Sequence, residues 1–153
     1  MLAGAETLPF VDELSVEVEA GEEAAWEALL RVAGGITTGR AGVIGARLLG
    51  CEDREPGGPR PIAAGSTTPG FHVELAESPR LLALRGSHRF SDYALSFRLD
   101  GLGENRTRVR AETRADFPGL HGCAYRGLVI GTGGHVVATR RILNLVKQRA
   151  ERV

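Results

Sequence analysis

The 153-residue sequence has little of what several functional classes need. Its charge is balanced, with 19 Lys and Arg against 19 Asp and Glu, so no basic excess favours DNA, RNA or an anionic membrane. Two cysteines, Cys51 and Cys123, and four histidines match no metal-ligand spacing or disulfide framework. We therefore expect reduced thiols, no metal, no cofactor and no nucleic-acid partner.

Long apolar runs are also missing. The most apolar segment, 128–138, is shorter than a membrane span and is interrupted by glycines. The N-terminus shows neither a basic leader nor a long apolar stretch, so we expect no signal peptide and a cytoplasmic protein. Lys147 is the only lysine in a chain rich in arginine, glycine and alanine, which indicates a GC-rich bacterial genome.

What the sequence does contain is alternation of apolar and polar residues, the period of half-buried strands. Alternation and turn signals predict strands at 14–19, 71–77, 81–86, 93–99 and 106–115, and two shorter runs at 46–51 and 62–65 are compatible with further strands. In the last strand, small and apolar residues alternate with arginines and Glu112. That pattern is typical of an antiparallel sheet with one solvated face, which we expect to carry mixed charges.

Helical periodicity occurs in two places. Residues 22–31 begin with two acids, where the helix dipole favours them, and Trp26 lies on the predicted buried face. The glycine-rich segment up to Gly45 is compatible with a short second helix. The last third, 121–150, predicts one long helix, because apolar and small residues recur at spacings of three and four.

Three glycines, Gly131, Gly133 and Gly134, lie in the middle of that predicted long helix. They lack the pattern and the preceding strand of a phosphate-binding loop, so phosphate binding is disfavoured. Close packing, a local kink or a widened pocket are the alternatives. We expect the glycines to belong to a helix that roofs a pocket.

The order of elements predicts an α+β fold in one domain, 1–153, with 1–10 as a loosely ordered N-terminal segment. A long helix must bury its stripe against the dry face of the sheet, and small facing side chains leave a cavity between them. The residues expected to line this cavity are His88, Tyr93, Leu95, Phe97, Ala111, Thr113, Tyr125, Leu128, Thr132, His135 and Thr139. In this interpretation Thr132, His135 and Thr139 place the ligand contacts in the middle of the helix.

Four of these residues, His88, Tyr93, Tyr125 and His135, bring polar groups to the predicted cavity. Each is either a core residue whose polar tip is satisfied by backbone or water, or a group that orients a ligand's hydroxyl or carbonyl. A histidine there could also move protons.

The whole arrangement resembles the START-like, or SRPBCC, superfamily, which has the helix-grip fold of the birch-pollen allergen. The resemblance is carried by Leu14-Ser-Val-Glu-Val-Glu, Ala24-Ala-Trp-Glu-Ala-Leu-Leu, Phe71-His-Val-Glu-Leu and Tyr125-Arg-Gly-Leu-Val. It implies a curved antiparallel sheet wrapped around a long C-terminal helix, with one or two short helices after the first strand. It also implies a deep apolar cavity, used in different members to carry lipids, sterols or hormones or to cyclise polyketides. No catalytic residue carries over, because the members share no invariant catalytic motif.

Three functions follow as hypotheses. The first is binding of a small hydrophobic or amphipathic molecule, lipid-like or polyketide-like. The second is a polyketide cyclase or aromatase-like enzyme in which His88, Tyr93 or His135 assists proton transfer. The third is an interaction module that uses the outer face of the sheet or the back of the helix at Ile130 and Val137, with a homodimer as one possible assembly.

Overall fold

One antiparallel sheet of six strands carries the fold, in the order β1-β6-β5-β4-β3-β2. The computed structural model describes residues 7–36 and 38–152. Its elements are β1 (Phe10–Val18), α1 (Glu22–Gly35), α2 (Arg40–Leu49), β2 (Thr67–Thr68), β3 (Phe71–Glu77), β4 (Leu81–His88), β5 (Ser91–Gly101), β6 (Thr107–Asp116), α3 (Gly119–Val129) and α4 (Gly134–Glu151). The sheet is curved, and the helices cover its inner face, which confirms the predicted α+β class.

The two faces of the sheet differ as the alternation in β6 predicted. Its inward residues Thr107, Val109, Ala111, Thr113 and Ala115 are all buried. On the outer face, arginines pair with acids on the same or neighbouring strands, for example Arg110 with Asp100 at 2.6 Å. Such exposed pairs contribute little to stability, but they keep this face solvated and confirm the predicted mixed surface.

The inner face is filled at one end only. The second half of α4 packs there with α1, and its Leu143 and Val146 meet Trp26 and Leu29 in one hydrophobic core. On the strands, this core includes Phe97 of β5 and neighbouring inward residues of β4 and β6. The first half of α4, α3 and α2 stand over the other end of the sheet, where the core does not extend.

The predicted single helix over 121–150 is wrong, because the chain breaks it into α3 and α4. Gly133 takes a left-handed conformation, with φ of 77°, at the position immediately before α4. Glycine adopts that conformation without the steric cost that a side chain brings. The spacing of three and four continues through the break by coincidence, so the periodicity alone could not reveal it. The glycines thus end one helix and begin another, and they are not part of a continuous roof.

The two shorter predicted strands, 46–51 and 62–65, are also wrong. Residues 46–49 belong to α2, which ends at a left-handed Gly50 with φ of 70°. Residues 62 and 63 have no regular structure and 64 and 65 form a turn, and Ile62 packs its side chain close to Gly34 of α1. A short apolar run suits a strand or a buried helical turn equally well, and only tertiary contacts decide between them.

The start of the described chain is tied to the sheet. Leu8 is buried, and the Pro9 carbonyl accepts a hydrogen bond from the Ala115 amide at 2.9 Å. Of the segment expected to be loosely ordered, residues 8–10 make contacts with the sheet, whereas 1–6 lie outside the described residues. Within the part of the chain that the structure describes, no helix is long and apolar enough to cross a membrane.

Candidate ligand-binding cavity

A cavity of about 420 Å³ lies over the part of the sheet that the core leaves uncovered. Its floor is formed by the ends of β5 and β6 nearest α3, and its walls come from α2, α3 and the first half of α4. Leu95 and Ala115 on the floor and Ile142 on α4 make it predominantly apolar. The cavity exists because the bulky core side chains of α4 begin only at Leu143.

The structure brings together seven of the eleven residues predicted to line the cavity. These are His88, Tyr93, Leu95, Thr113, Tyr125, His135 and Thr139. Phe97 and Ala111 share the inner face with them but lie further along the strands, fully buried in the packed core. Strand alternation identifies the face that a residue occupies, but not where along the strand the cavity ends.

Leu128 and Thr132 do not line the cavity. Leu128, in the last turn of α3, is 67% exposed, and Thr132 lies exposed in the turn between α3 and α4. Both residues were predicted to face the cavity on the assumption of one continuous helix. The break at 130–133 changes the helical phase, so that prediction fails. Ile130, predicted for the back of the helix, lines the cavity instead.

The wall of the cavity that α2 forms was not predicted from the sequence. The side of α2 that faces the cavity consists of Gly42, Gly45, Ala46 and Leu49, followed by Cys51 beyond the helix. The residues Gly42, Gly45 and Leu49 follow one another at spacings of three and four, and this spacing was a signal in the sequence for one face of a helix. It was obscured because 46–51 also suits a strand. Cys51 and Cys123 are both free thiols, and Cys51 is buried.

Aromatic rings crowd one end of the cavity, and we call this group the aromatic cluster: Phe71, His88, Phe90, Tyr93 and Tyr125. The Tyr125 ring lies 4.8 Å from the His88 ring, edge to face, and 5.6 Å from the Phe90 ring, stacked. Tyr93 meets Phe71 edge to face at 5.2 Å. These are the arrangements that aromatic quadrupoles favour, and they hold His88 in a defined orientation.

Tyr93 acts as a structural donor at this end. Its hydroxyl donates a hydrogen bond to the Gly70 carbonyl at 2.5 Å, and the Cys51 sulfur lies 4.0 Å away. Burial, and then the neighbouring Cys51, raise the pKa of the Tyr93 phenol far above its usual value. The phenol therefore stays protonated at neutral pH and ties β5 to the start of β3. Burial likewise raises the pKa of Tyr125.

His88 presents a different chemistry. Its Nδ1 accepts a hydrogen bond from the Phe90 amide at 3.1 Å, which assigns the proton of the neutral ring to Nε2. Burial lowers the pKa of His88 below its usual 6.5, and the Asp92 carboxylate offsets this only in part. The ring is therefore neutral at pH 7. The hydrogen bonds among the described residues leave its Nε2–H free to donate to a ligand oxygen.

This environment predicts how His88 responds to pH. Because the folded-state pKa lies below the unfolded value of 6.5, the unfolded chain binds the proton first as the pH falls. Stability attributable to neutral His88 is therefore complete above about pH 6.5 and is lost below it. We expect an NMR titration midpoint for His88 below 6.5. The fall in Tm between pH 7.5 and 5.5 should be smaller in His88→Gln, and a midpoint above 6.5 would contradict this assignment.

A second polar group lies where α4 begins, and sequence reasoning missed half of it. Nε2 of His135 lies 3.2 Å from Oδ1 of Asp12, and both side chains are largely buried. Asp12 is in phase with Leu14 and Val16, on the inner face of β1. A carboxylate that alternates in step with the apolar residues of a strand can be recognised in the sequence, but the predicted first strand began only at Leu14.

Thr113 completes this group. It is the ladder partner of Asp12 across β1 and β6, so both side chains stand on the same face. Its side chain is 7% exposed, and Oγ1 is buried with no hydrogen-bond partner in the described part of the chain. A buried hydroxyl left in this state costs about 1–3 kcal/mol. The hydroxyl of Thr139, also in the cavity, is satisfied by the His135 carbonyl at 3.0 Å.

Comparison with known proteins places the fold but names no close relative. No protein-family model matches the chain, and no curated protein matches it.

Among the residues described, no group of three or more His, Cys, Asp or Glu is arranged to hold a metal ion.

Solved structures provide the likeness. The ZhuI aromatase/cyclase from Streptomyces sp. R1128 superposes with a TM-score of 0.60 at 18% identity, covering 95% of this chain and 94% of that one. Norcoclaurine synthase from Thalictrum flavum gives 0.54 at 15%, covering 91% and 96%. A conserved protein from Geobacillus kaustophilus gives 0.53 at 16%, covering 92% and 94%. At these identities the likeness shows the fold alone: this chain has the helix-grip fold that its sequence predicted.

Proposed function

We propose that this protein binds a small hydrophobic or amphipathic molecule in the cavity between the sheet and helices α2, α3 and α4. The observation that carries the proposal is the cavity itself, about 420 Å³ beside a core that is otherwise filled. That volume falls within the range of small-molecule sites, about 300–1,000 Å³. An empty space of this size costs stability, because the atoms that line it lose packing contacts. A bound ligand would restore those contacts.

The distribution of chemistry in the cavity supports the same proposal. Apolar walls provide the burial that drives association of a hydrophobic molecule. Polar groups are concentrated at two places: Nε2 of His88 in the aromatic cluster, and the His135 side chain with Asp12 at the start of α4. A few polar groups in an apolar site orient a ligand without dominating its affinity. A molecule with an apolar body and one or two oxygen substituents suits this arrangement.

Native mass spectrometry of gently purified protein tests the proposal. We expect a fraction of the protein to carry a non-covalent adduct of a few hundred daltons, roughly what a cavity of this class holds, and denaturing conditions should release it. Protein recovered empty should bind the neutral dye Nile red saturably at one site. Protein that carries no adduct and shows no saturable dye binding would contradict the proposal.

A second candidate function is catalysis in the same cavity, of the polyketide cyclase or aromatase type. The observation that favours it is a neutral imidazole with a donor Nε2–H in a largely apolar site, a group suited to exchange protons with a carbonyl or enol oxygen. The ZhuI aromatase/cyclase shares the fold. Full retention of turnover on a candidate substrate after His88→Gln, Tyr93→Phe and His135→Ala would exclude it.

The interaction-module hypothesis has less to support it. Of its predicted helical patch, Val137 is 70% exposed, but Ile130 lines the cavity. The outer face of the sheet carries paired charges and no apolar patch among its described residues. We also propose a location in the bacterial cytoplasm and assembly into a homodimer. Sedimentation analysis that finds only a monomer would contradict the homodimer.

A further inference from the structure

One group of polar side chains at the edge of the cavity is not explained by the packing of the protein. Asp12, Thr113 and His135, which we call the polar subsite, lie together where α4 begins above β1 and β6. Asp12 and Thr113 are ladder partners with side chains on the same face, and Asp12 contacts His135. Elsewhere the same face of β1 carries Leu14, Val16 and Val18. Polar groups on an apolar face need a compensating partner, and here one of them lacks it.

The hydrogen-bonding capacity of this group is incomplete. The Asp12 carboxylate can only accept, so the 3.2 Å contact places a proton on Nε2 of His135. In the neutral ring Nδ1 then carries a lone pair, and no hydrogen bond among the described residues uses it. The Thr113 hydroxyl also has no partner. One staggered step about its Cα–Cβ bond moves the hydroxyl to the position of the methyl group and the methyl group to that of the hydrogen, so the hydroxyl can turn toward a ligand.

We propose that the polar subsite binds the hydroxyl group of an otherwise apolar ligand, an alcohol or a phenol. A hydroxyl can both donate and accept: it donates to Nδ1 of His135 and accepts from Thr113. A ketone or an ether accepts only, and a methyl group does neither. Asp12 is a positioning residue, because it holds the imidazole in the tautomer that accepts. The proposal rests on the proposed function, since it assigns chemistry to the same cavity.

A pair of probes with one shape isolates the hydroxyl: 2-naphthol and 2-methylnaphthalene, each titrated against protein-bound Nile red. In the wild-type protein we expect 2-naphthol to bind about tenfold more tightly, the equivalent of one good hydrogen bond. In Thr113→Val and in Asp12→Asn that preference should fall to about onefold or below, while the affinity for 2-methylnaphthalene stays within about twofold. Thr113→Ser, which keeps the hydroxyl, should keep the preference.

A matched control is Ser96→Ala. Ser96 is 8% exposed, as buried as Thr113, but it lies on the outer face of β5, and its loss should leave the preference unchanged. Stability gives a second readout. Because the Thr113 hydroxyl has no partner, Thr113→Val should have a Tm equal to or above that of the wild-type protein without ligand.

The outcomes separate the two levels of the argument. If Nile red and both naphthalenes fail to bind, the proposed function fails and the polar subsite fails with it. If the probes bind with the same preference in the wild-type protein and in Thr113→Val, the cavity is a binding site but the polar subsite is overturned. A marked fall in the Tm of Thr113→Val, or its failure to fold, would show that the hydroxyl is structural and would also overturn it.

Discussion

Alanine in place of Gly86 is expected to destabilise the protein by about 3 kcal/mol or more, the upper range for overpacking plus one lost hydrogen bond. A Cβ on Gly86 would overlap the carbonyl oxygen of Gly70 and lie 2.6 Å from Cζ of Tyr93. A shift of the Gly70 backbone away from the new Cβ would break the hydrogen bond that its oxygen accepts from Tyr93. Urea unfolding measures the loss, and we expect a lower midpoint at an unchanged slope.

The matched control is Gly127→Ala in α3. A Cβ there meets no atom within 4 Å, and the residue is exposed within a helix. Alanine should therefore stabilise the protein by up to about 1 kcal/mol through helix propensity. Equal stability of Gly86→Ala and Gly127→Ala would contradict the close packing of β3, β4 and Tyr93 at this end of the cavity.

Tryptophan in place of Gly45 is expected to abolish ligand binding while the protein stays folded. Gly45 faces the cavity from α2, and a Cβ there meets nothing within 4 Å, so the indole can occupy the space that the ligand needs. We expect the affinity for Nile red to fall by about a hundredfold or more, equivalent to nearly 3 kcal/mol. The Tm should be unchanged or higher, because a helical glycine is replaced and apolar surface fills a void.

Leu48→Trp is the control for that experiment. Leu48 lies one turn further along α2 and is 72% exposed, away from the cavity. It carries the same added ring, so its dye affinity should match that of the wild-type protein. Equal binding by Gly45→Trp and the wild-type protein would show that the dye binds elsewhere on the surface.

The sheet and its inner face could be predicted because their signal is local. In β6, successive residues from Thr107 to Ala115 alternate without interruption, and a period of two needs no knowledge of distant contacts. The same alternation placed Tyr93, Leu95 and Phe97 on one face correctly. It could not separate Leu95, which lines the cavity, from Phe97, which is packed, because that boundary depends on where α4 presents its bulky side chains.

The helical side of the cavity was harder to predict for a physical reason. The break between α3 and α4 depends on Gly133 adopting a left-handed conformation, and a glycine in a periodic sequence is equally compatible with a continuous helix. The wall formed by α2 depends on tertiary packing of a short apolar run. Asp12 was within reach of the sequence, since its phase with Leu14 and Val16 is visible once the strand is extended to Phe10.

The central claim is that the space between sheet and helices holds a ligand, and a crystal structure of protein purified without denaturation tests it most directly. The account predicts electron density for a small molecule bounded by Leu95, Thr113 and His135, with an oxygen substituent near the last two. A structure in which α2 has collapsed onto β5 and β6, so that protein side chains fill that space, would contradict it.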